Sequence, residues 1–381
     1  MAALVSGTGP IAIDAERASG FRYSQRAYLI QMRREGSGSA LLDPIALPDL
    51  AGLASAIGDA EWILHAATQD LPCLAEVGLT PRALFDTELA GRLLGRERVS
   101  LAALVQSELG ETLEKGHGAA DWSVRPLSSA QLRYAVLDVE LLIELRHHME
   151  SELIAVQKWD IAQQEFISLL SFRPRPKSAD PWRRVSGLHR FRKPRDLAVI
   201  RSLWNEREAR AVRRDIAPGR VLPDASIIAA VLANPQTLQE LSAVKEFSGR
   251  GQQRNIDMWW RAIERGRLEL DSELPASSVA HSGPPQPRTW MERNPAAHDR
   301  LVGAREVLTE ASQSVNIPVE NLVSPEIVRR LAWEPPDEVS PVTIKVALEA
   351  AGSRTWQIEL LAEPLARAFL AAAASPPLPA E

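Results

Sequence analysis

Two stretches that cannot sustain regular structure limit what this 381-residue chain can fold into. Ser171–Pro194 (SFRPRPKSADPWRRVSGLHRFRKP) is crowded with Pro and Arg. Asp271–Arg288 (DSELPASSVAHSGPPQPR) is crowded with Pro, Ser and Gly. Proline fixes φ and removes a backbone donor, and neither stretch repeats its apolar residues at helical spacing. Both therefore predict boundaries between separately packed units. The expected layout is a domain over 1–170, a basic linker over 171–194, a domain over 195–270, a Pro/Ser-rich linker over 271–289, a domain over 290–372 and a tail over 373–381.

Composition permits a core in each unit, with 45% hydrophobic and 24% charged residues. No apolar run approaches the ~20 residues a membrane span needs, so no membrane partner is expected. Met1–Pro10 lacks a basic stretch followed by an apolar one, so no secretory signal is expected. The single cysteine, Cys73, makes neither an internal disulfide nor a thiolate cage. A reducing, cytoplasmic setting is the expectation.

Net charge is -5, which taken alone argues against a nucleic-acid partner. By segment the sum divides. Residues 1–150 carry 13 basic and 20 acidic groups, whereas 171–220 carry 15 basic and 5 acidic groups. The basic segment reads as a solvated linker or as a track for a polyanion.

In the first unit, Pro10–Asp14, Ala27–Met32, Ala40–Leu42 and Trp62–Leu64 read as strands. Helical spacing is expected over 47–57, 68–77, 87–94, 101–108 and from Ser129 to about Ile154. That mixture predicts an α/β domain with a helix-covered sheet. The two later units read as all-α. VLPDASIIAAVL (221–232) resembles LVSPEIVRRLAW (322–333), and this offset of about 100 residues suggests a tandem duplicated domain.

Four acids and a tyrosine carry the candidate chemistry. Asp14 and Glu16 end the first strand, and residues i and i+2 of a strand share a face. Asp70 opens a helix for which Thr68 is the expected N-cap, and Pro72 is tolerated in its first turn. Tyr134 and Asp138, at i and i+4, stack on one helix face behind a Ser128/Gln131 capping box. Clustered carboxylates repel one another and offer hard oxygen ligands, which suit divalent cations such as Mg²⁺ or Mn²⁺. His65 and Trp122 read as packed residues, and nothing near Cys73 suggests a nucleophile.

In this order and on these elements, the five residues resemble the DEDDy 3′–5′ exonuclease superfamily. DTELAGRLLG (86–95), SLAALVQSELG (100–110), LEKGHGAADWSVRPLSSAQLRYAVLDVELL (113–142) and PWRRVSG (181–187) are similar to ribonuclease D. The two helical units resemble HRDC domains. The resemblance implies a ribonuclease H-like exonuclease domain, with a mixed sheet flanked by helices, followed by two small helical HRDC domains. It implies two divalent metals held by Asp14, Glu16, Asp70 and Asp138, with Asp14 bridging and Tyr134 orienting the attacking water. It further implies a monomer that releases nucleoside 5′-monophosphates from RNA 3′ ends such as those of tRNA precursors. Lys115 and His117 read either as contacts to the scissile phosphate or as surface. Arg183, Arg184, Arg192 and Lys193 are candidate phosphate contacts. Single-stranded DNA as substrate, or a catalytically silent nucleic-acid scaffold, are the alternatives. One departure stands inside the motif: Asp14-Ala15-Glu16 is followed by Arg17-Ala18-Ser19-Gly20, where many relatives carry a bulkier aromatic run.

Overall fold

The computed structural model describes residues 7–47, 49–113, 120–176, 178–278 and 283–374. Its first part is a five-stranded sheet in the order β3-β2-β1-β4-β5, with β1 Thr8–Arg17, β2 Ala27–Glu35, β3 Gly38–Leu42, β4 Glu61–Leu64 and β5 Ala83–Asp86. β1 pairs antiparallel with β2 and parallel with β4, so the sheet is mixed. Ile11, Ala12 and Ile13 are all fully buried, because helices cover both faces of the central strand. β5 escapes the periodicity test: only Leu84 and Phe85 carry its apolar signal.

The helices of this part are α1 Ala51–Ile57, α2 Leu71–Glu76, α3 Thr87–Leu93, α4 Leu101–Leu104 continuing as a π-turn over Val105–Leu109, α5 Ser129–Glu140, α6 Leu142–Ala155 and α7 Trp159–Leu170. The single helix expected from Ser129 to about Ile154 is broken at Leu141, whose φ of -104° and ψ of 1° leave the helical region. The break lets α5 lie against β2 and β3 while α6 follows the sheet twist to β1 and β4. The capping box at Ser128 and Gln131 is present, each side chain bonding the other's backbone.

Two helical units follow. The first contains α8 Pro194–Arg214, α9 Pro218–Val221, α10 Asp224–Ala233, α11 Leu238–Ala243, α12 Arg250–Gln253 and α13 Ile256–Leu268. Trp182, Val185 and Phe191, expected in a linker, are instead buried in the core of this unit with Ile200, Leu203 and Trp259. The Pro- and Arg-rich composition of the segment hid three apolar anchors that lack helical spacing. The second unit contains α14 Trp290–Arg293, α15 Pro295–Val315, α16 Val319–Leu322, α17 Pro325–Trp333, α18 Pro341–Ala350 and α19 Thr355–Ala374. α15, α16 and α17 begin 101 positions after α8, α9 and α10.

Both units grip the sheet domain by the same corner. Asp215 and Asn316, each in the left-handed region just after the long helix, are equivalent positions. Asp215 Oδ1 accepts from Tyr23 N and Ser24 N at 3.1 and 2.8 Å. The carbonyl of Asn316 accepts from Lys158 Nζ at 3.0 Å. The second unit is also fastened through Glu165 of α7, which pairs with Arg354 and accepts from Trp356 Nε1. Its core is continuous with that of the sheet domain. No helix among the described residues is long and apolar enough to cross a membrane.

Candidate active site

Asp14, Glu16, Asp70, Tyr134 and Asp138 line one open cavity of about 460 Å³. The carboxylates of Asp14, Glu16 and Asp138 offer oxygens within 4.8 Å of one another. β1 presents the first two on one face, and α5 brings Tyr134 and Asp138 across from them. Asp70 arrives from the end of β4 and pairs with Arg17 Nη2 at 3.7 Å. Thr68 is not the N-cap expected for it. Asp70 itself holds the N-cap position of α2 and makes no side-chain cap bond, while Thr68 is exposed in a preceding 3₁₀ turn. The Asp70 carboxylate therefore stays available to the cavity.

A residue not singled out in the sequence builds that turn. Asp86, at the end of β5, accepts from Ala66 N and Ala67 N at 3.1 and 2.8 Å and caps α3 through Glu88 N and Leu89 N. It thereby holds Ala66 at a φ of 58°, a conformation an alanine rarely adopts. An acid closing an apolar run just before a helical pattern was the available signal. Gln31 was also missed. It sits beside Asp14 in the β1–β2 register, fully buried, and its Nε2 donates to Glu16 Oε1 at 3.5 Å.

His65 lines the cavity too. Its Nδ1 is hydrogen-bonded to Thr87 Oγ1 at 2.9 Å, and the Leu64 carbonyl lies 3.3 Å from the same hydroxyl. Burial lowers the His65 pKa to about 4, which keeps the ring neutral.

The electrostatics of the acids share one cause. Burial raises Asp14 to about 6, with the Ala15 N–H and Arg17 pulling it back. Burial and then repulsion by Asp14, Asp138 and Asp70 raise Glu16 to about 9. Burial and Asp14 raise Asp70 to about 8 and Asp138 to about 7, and a hydrogen bond with Tyr134 opposes the shift of Asp138. The same burial and the neighbouring acids push the Tyr134 hydroxyl up, so it stays protonated. Crowded, partly dry oxygen donors of one sign suit a hard divalent cation.

None of the other described candidates lines this cavity. Lys115 and His117 lie outside the described residues. Arg183 is committed elsewhere: it pairs with Asp180, donates to the Ala276 carbonyl at 2.9 Å and stacks on Trp182. Arg184, Arg192 and Lys193 are exposed and make no ion pair among the described residues. Trp122 is fully buried, and Cys73 is buried with its thiol pushed up to about 12.

Comparison with known proteins assigns each of the three parts of the chain to a domain family. The 3'-5' exonuclease family model matches residues 1–154, the HRDC domain model 196–263, and the 3' to 5' exonuclease C-terminal domain model 283–369. The second helical unit, expected as HRDC-like, is thus matched by a different model from the first. Ribonuclease D of Gluconacetobacter diazotrophicus is 30% identical over 337 residues, covering 85% of this chain and 81% of the relative. The chain belongs to the ribonuclease D family. Membership makes it a 3′–5′ exoribonuclease. A crystal structure of a protein from Bifidobacterium adolescentis is 37% identical with a TM-score of 0.88, covering 96% of this chain and 93% of that one. Escherichia coli RNase D shares the fold at 24% identity and a TM-score of 0.68, covering 97% and 95%.

Proposed function

We propose that this member of the ribonuclease D family hydrolyses RNA from the 3′ end with two divalent metal ions held by Asp14, Glu16, Asp70 and Asp138. The observation that carries this reading is the convergence of these four acids and Tyr134 on one cavity. Bound Mg²⁺ or Mn²⁺ would supply an activated water and neutralise charge on the phosphate and the leaving 3′-oxygen. In this reading Asp14, whose charge acts on Glu16, Asp70 and Asp138, would be shared between the ions. Tyr134, hydrogen-bonded to Asp138 and kept protonated, orients the attacking water. The product is a nucleoside 5′-monophosphate. Residues 1–170 then carry the chemistry, and the helical units over 195–270 and 290–372 position the RNA.

The proposed substrate is the single-stranded 3′ end of a structured RNA, tRNA precursors included, acted on by a monomer in the cytoplasm. Similarity to Escherichia coli RNase D, an exoribonuclease involved in structured RNA processing, supports that choice. Digestion of 3′-extended tRNA and of single-stranded DNA side by side, with Mn²⁺, tests it. Faster removal of the RNA extension is expected. Equal or faster loss of the DNA would assign the enzyme to DNA instead.

Tyr134→Phe is expected to lower the turnover rate by about 10²-fold with Mn²⁺ affinity close to wild type, the scale set by a positioned proton-handling group. Full activity in single-turnover assays would make Tyr134 a packing residue. The exposed Arg184, Arg192 and Lys193 are proposed to contact phosphates without reading sequence. RNA binding should therefore weaken steeply between about 50 and 200 mM salt. A flat dependence in a fluorescence anisotropy titration would remove the basic segment from the RNA footprint.

A further inference from the structure

Arg17 is the one Lys or Arg lining the catalytic cavity among the described residues. Strand alternation would turn it away from Glu16, the residue before it. The β1–β2 register slips there: Glu16 faces Leu29 and Arg17 faces Ala27, leaving Tyr28 as the extra residue. Such bulges re-aim side chains next to active sites. The guanidinium reaches Asp70 at 3.7 Å, beyond hydrogen-bond distance, and its side chain is 28% exposed. It is a cation held near the acids by charge and not by a directed bond.

Arg17 also lines a second, adjoining cavity of about 280 Å³, whose walls include Glu16, Ser19, Gly20, Phe21 and Ala120. The loop forming that wall is anchored by the first helical unit. Arg220 Nε donates to the Gly20 carbonyl at 2.7 Å and its guanidinium lies 4.1 Å from the centre of the Phe21 ring. Ala217 N donates to the Phe21 carbonyl at 3.0 Å. The two cavities thus share the wall Ala15-Glu16-Arg17, with Asp14, Asp70 and Asp138 lining only the first and the anchored loop lining only the second.

We propose that Arg17 is a substrate-positioning residue: it leaves Asp70 and binds a non-bridging oxygen of the scissile phosphate, which joins the terminal nucleotide in the first cavity to the preceding one in the second. A guanidinium suits a phosphate oxygen, and a phosphate is the anion that Asp70 stands in for in the free enzyme. This rests on the proposed exonuclease reading of the same site.

The test uses Arg17→Met, which keeps length and loses charge, and Arg17→Lys. KM and kcat are measured on 3′-extended RNA, and Mn²⁺ affinity is measured by calorimetry on RNA-free protein. Arg17→Met is expected to raise KM about 10–100-fold, the scale of a hydrogen bond to a charged group. Mn²⁺ affinity should be unchanged or tighter, because Asp70 loses a competing cation. Arg17→Lys should recover part of the KM. An unchanged KM in Arg17→Met, or Mn²⁺ affinity that falls in step with activity, would reduce Arg17 to a support for Asp70. Wild-type protein that binds no Mn²⁺ and degrades no RNA would overturn both this role and the exonuclease reading.

Discussion

Asp14→Asn, or Asp138→Ala, is expected to abolish turnover, by about 10³-fold or more, in a protein that still folds. Asn keeps the shape of Asp and removes its charge, so the position next to Glu16 and Asp138 would no longer hold a divalent cation. The fold should survive because the lost carboxylate is repelled by its neighbours: Asp14 raises the pKa of Glu16, Asp70 and Asp138. Single-turnover hydrolysis and circular dichroism on the same preparations separate the two effects. Residual activity near wild type in either variant would sink the assignment of these acids.

The same repulsion predicts a pH-dependent stability. All four acids have folded-state pKa values above their ordinary ones, between about 6 and 9. From about pH 4 to 9 the folded state therefore binds more protons than the unfolded state, and stability falls as pH rises. The displacement of Asp14 alone, from 3.8 to about 6, corresponds to on the order of 3 kcal/mol. Asp43, Asp180 and Asp215 are shifted the other way, and the stability they add is lost only as pH falls below about 4. Metal-free protein should unfold at a distinctly lower temperature at pH 8 than at pH 5. Added Mn²⁺ should restore the midpoint at pH 8, and Asp14→Asn should flatten the pH profile without metal. A metal-free midpoint that is flat or rises over this range would contradict the charge arrangement.

Much of this site was legible because it obeys short-range periodicity. The period of two puts Asp14 and Glu16 on one face of β1, and the i, i+4 spacing puts Tyr134 above Asp138 on α5. The Ser128 box marked where that helix begins. What stayed hidden depends on long-range geometry. Arg17 lines the cavity where the β1–β2 register slips, and Asp86, 16 positions after Asp70, bends the chain at Ala66. The break at Leu141 follows the twist of a sheet whose order is set by distant strands. Trp182, Val185 and Phe191 sit in a composition that reads as linker, yet they complete a helical core. The shared docking corner at Asp215 and Asn316 is visible only once the two units are compared in space.

In the proposed reaction these acids hydrolyse RNA from its 3′ end with the help of divalent metal. Its most direct test is product analysis of a 5′-labelled RNA incubated with the enzyme and Mn²⁺, and with EDTA in parallel. Progressive shortening from the 3′ end, release of nucleoside 5′-monophosphates and no reaction in EDTA are expected. Internal cuts, nucleoside 3′-phosphates, or undiminished activity in EDTA would contradict it.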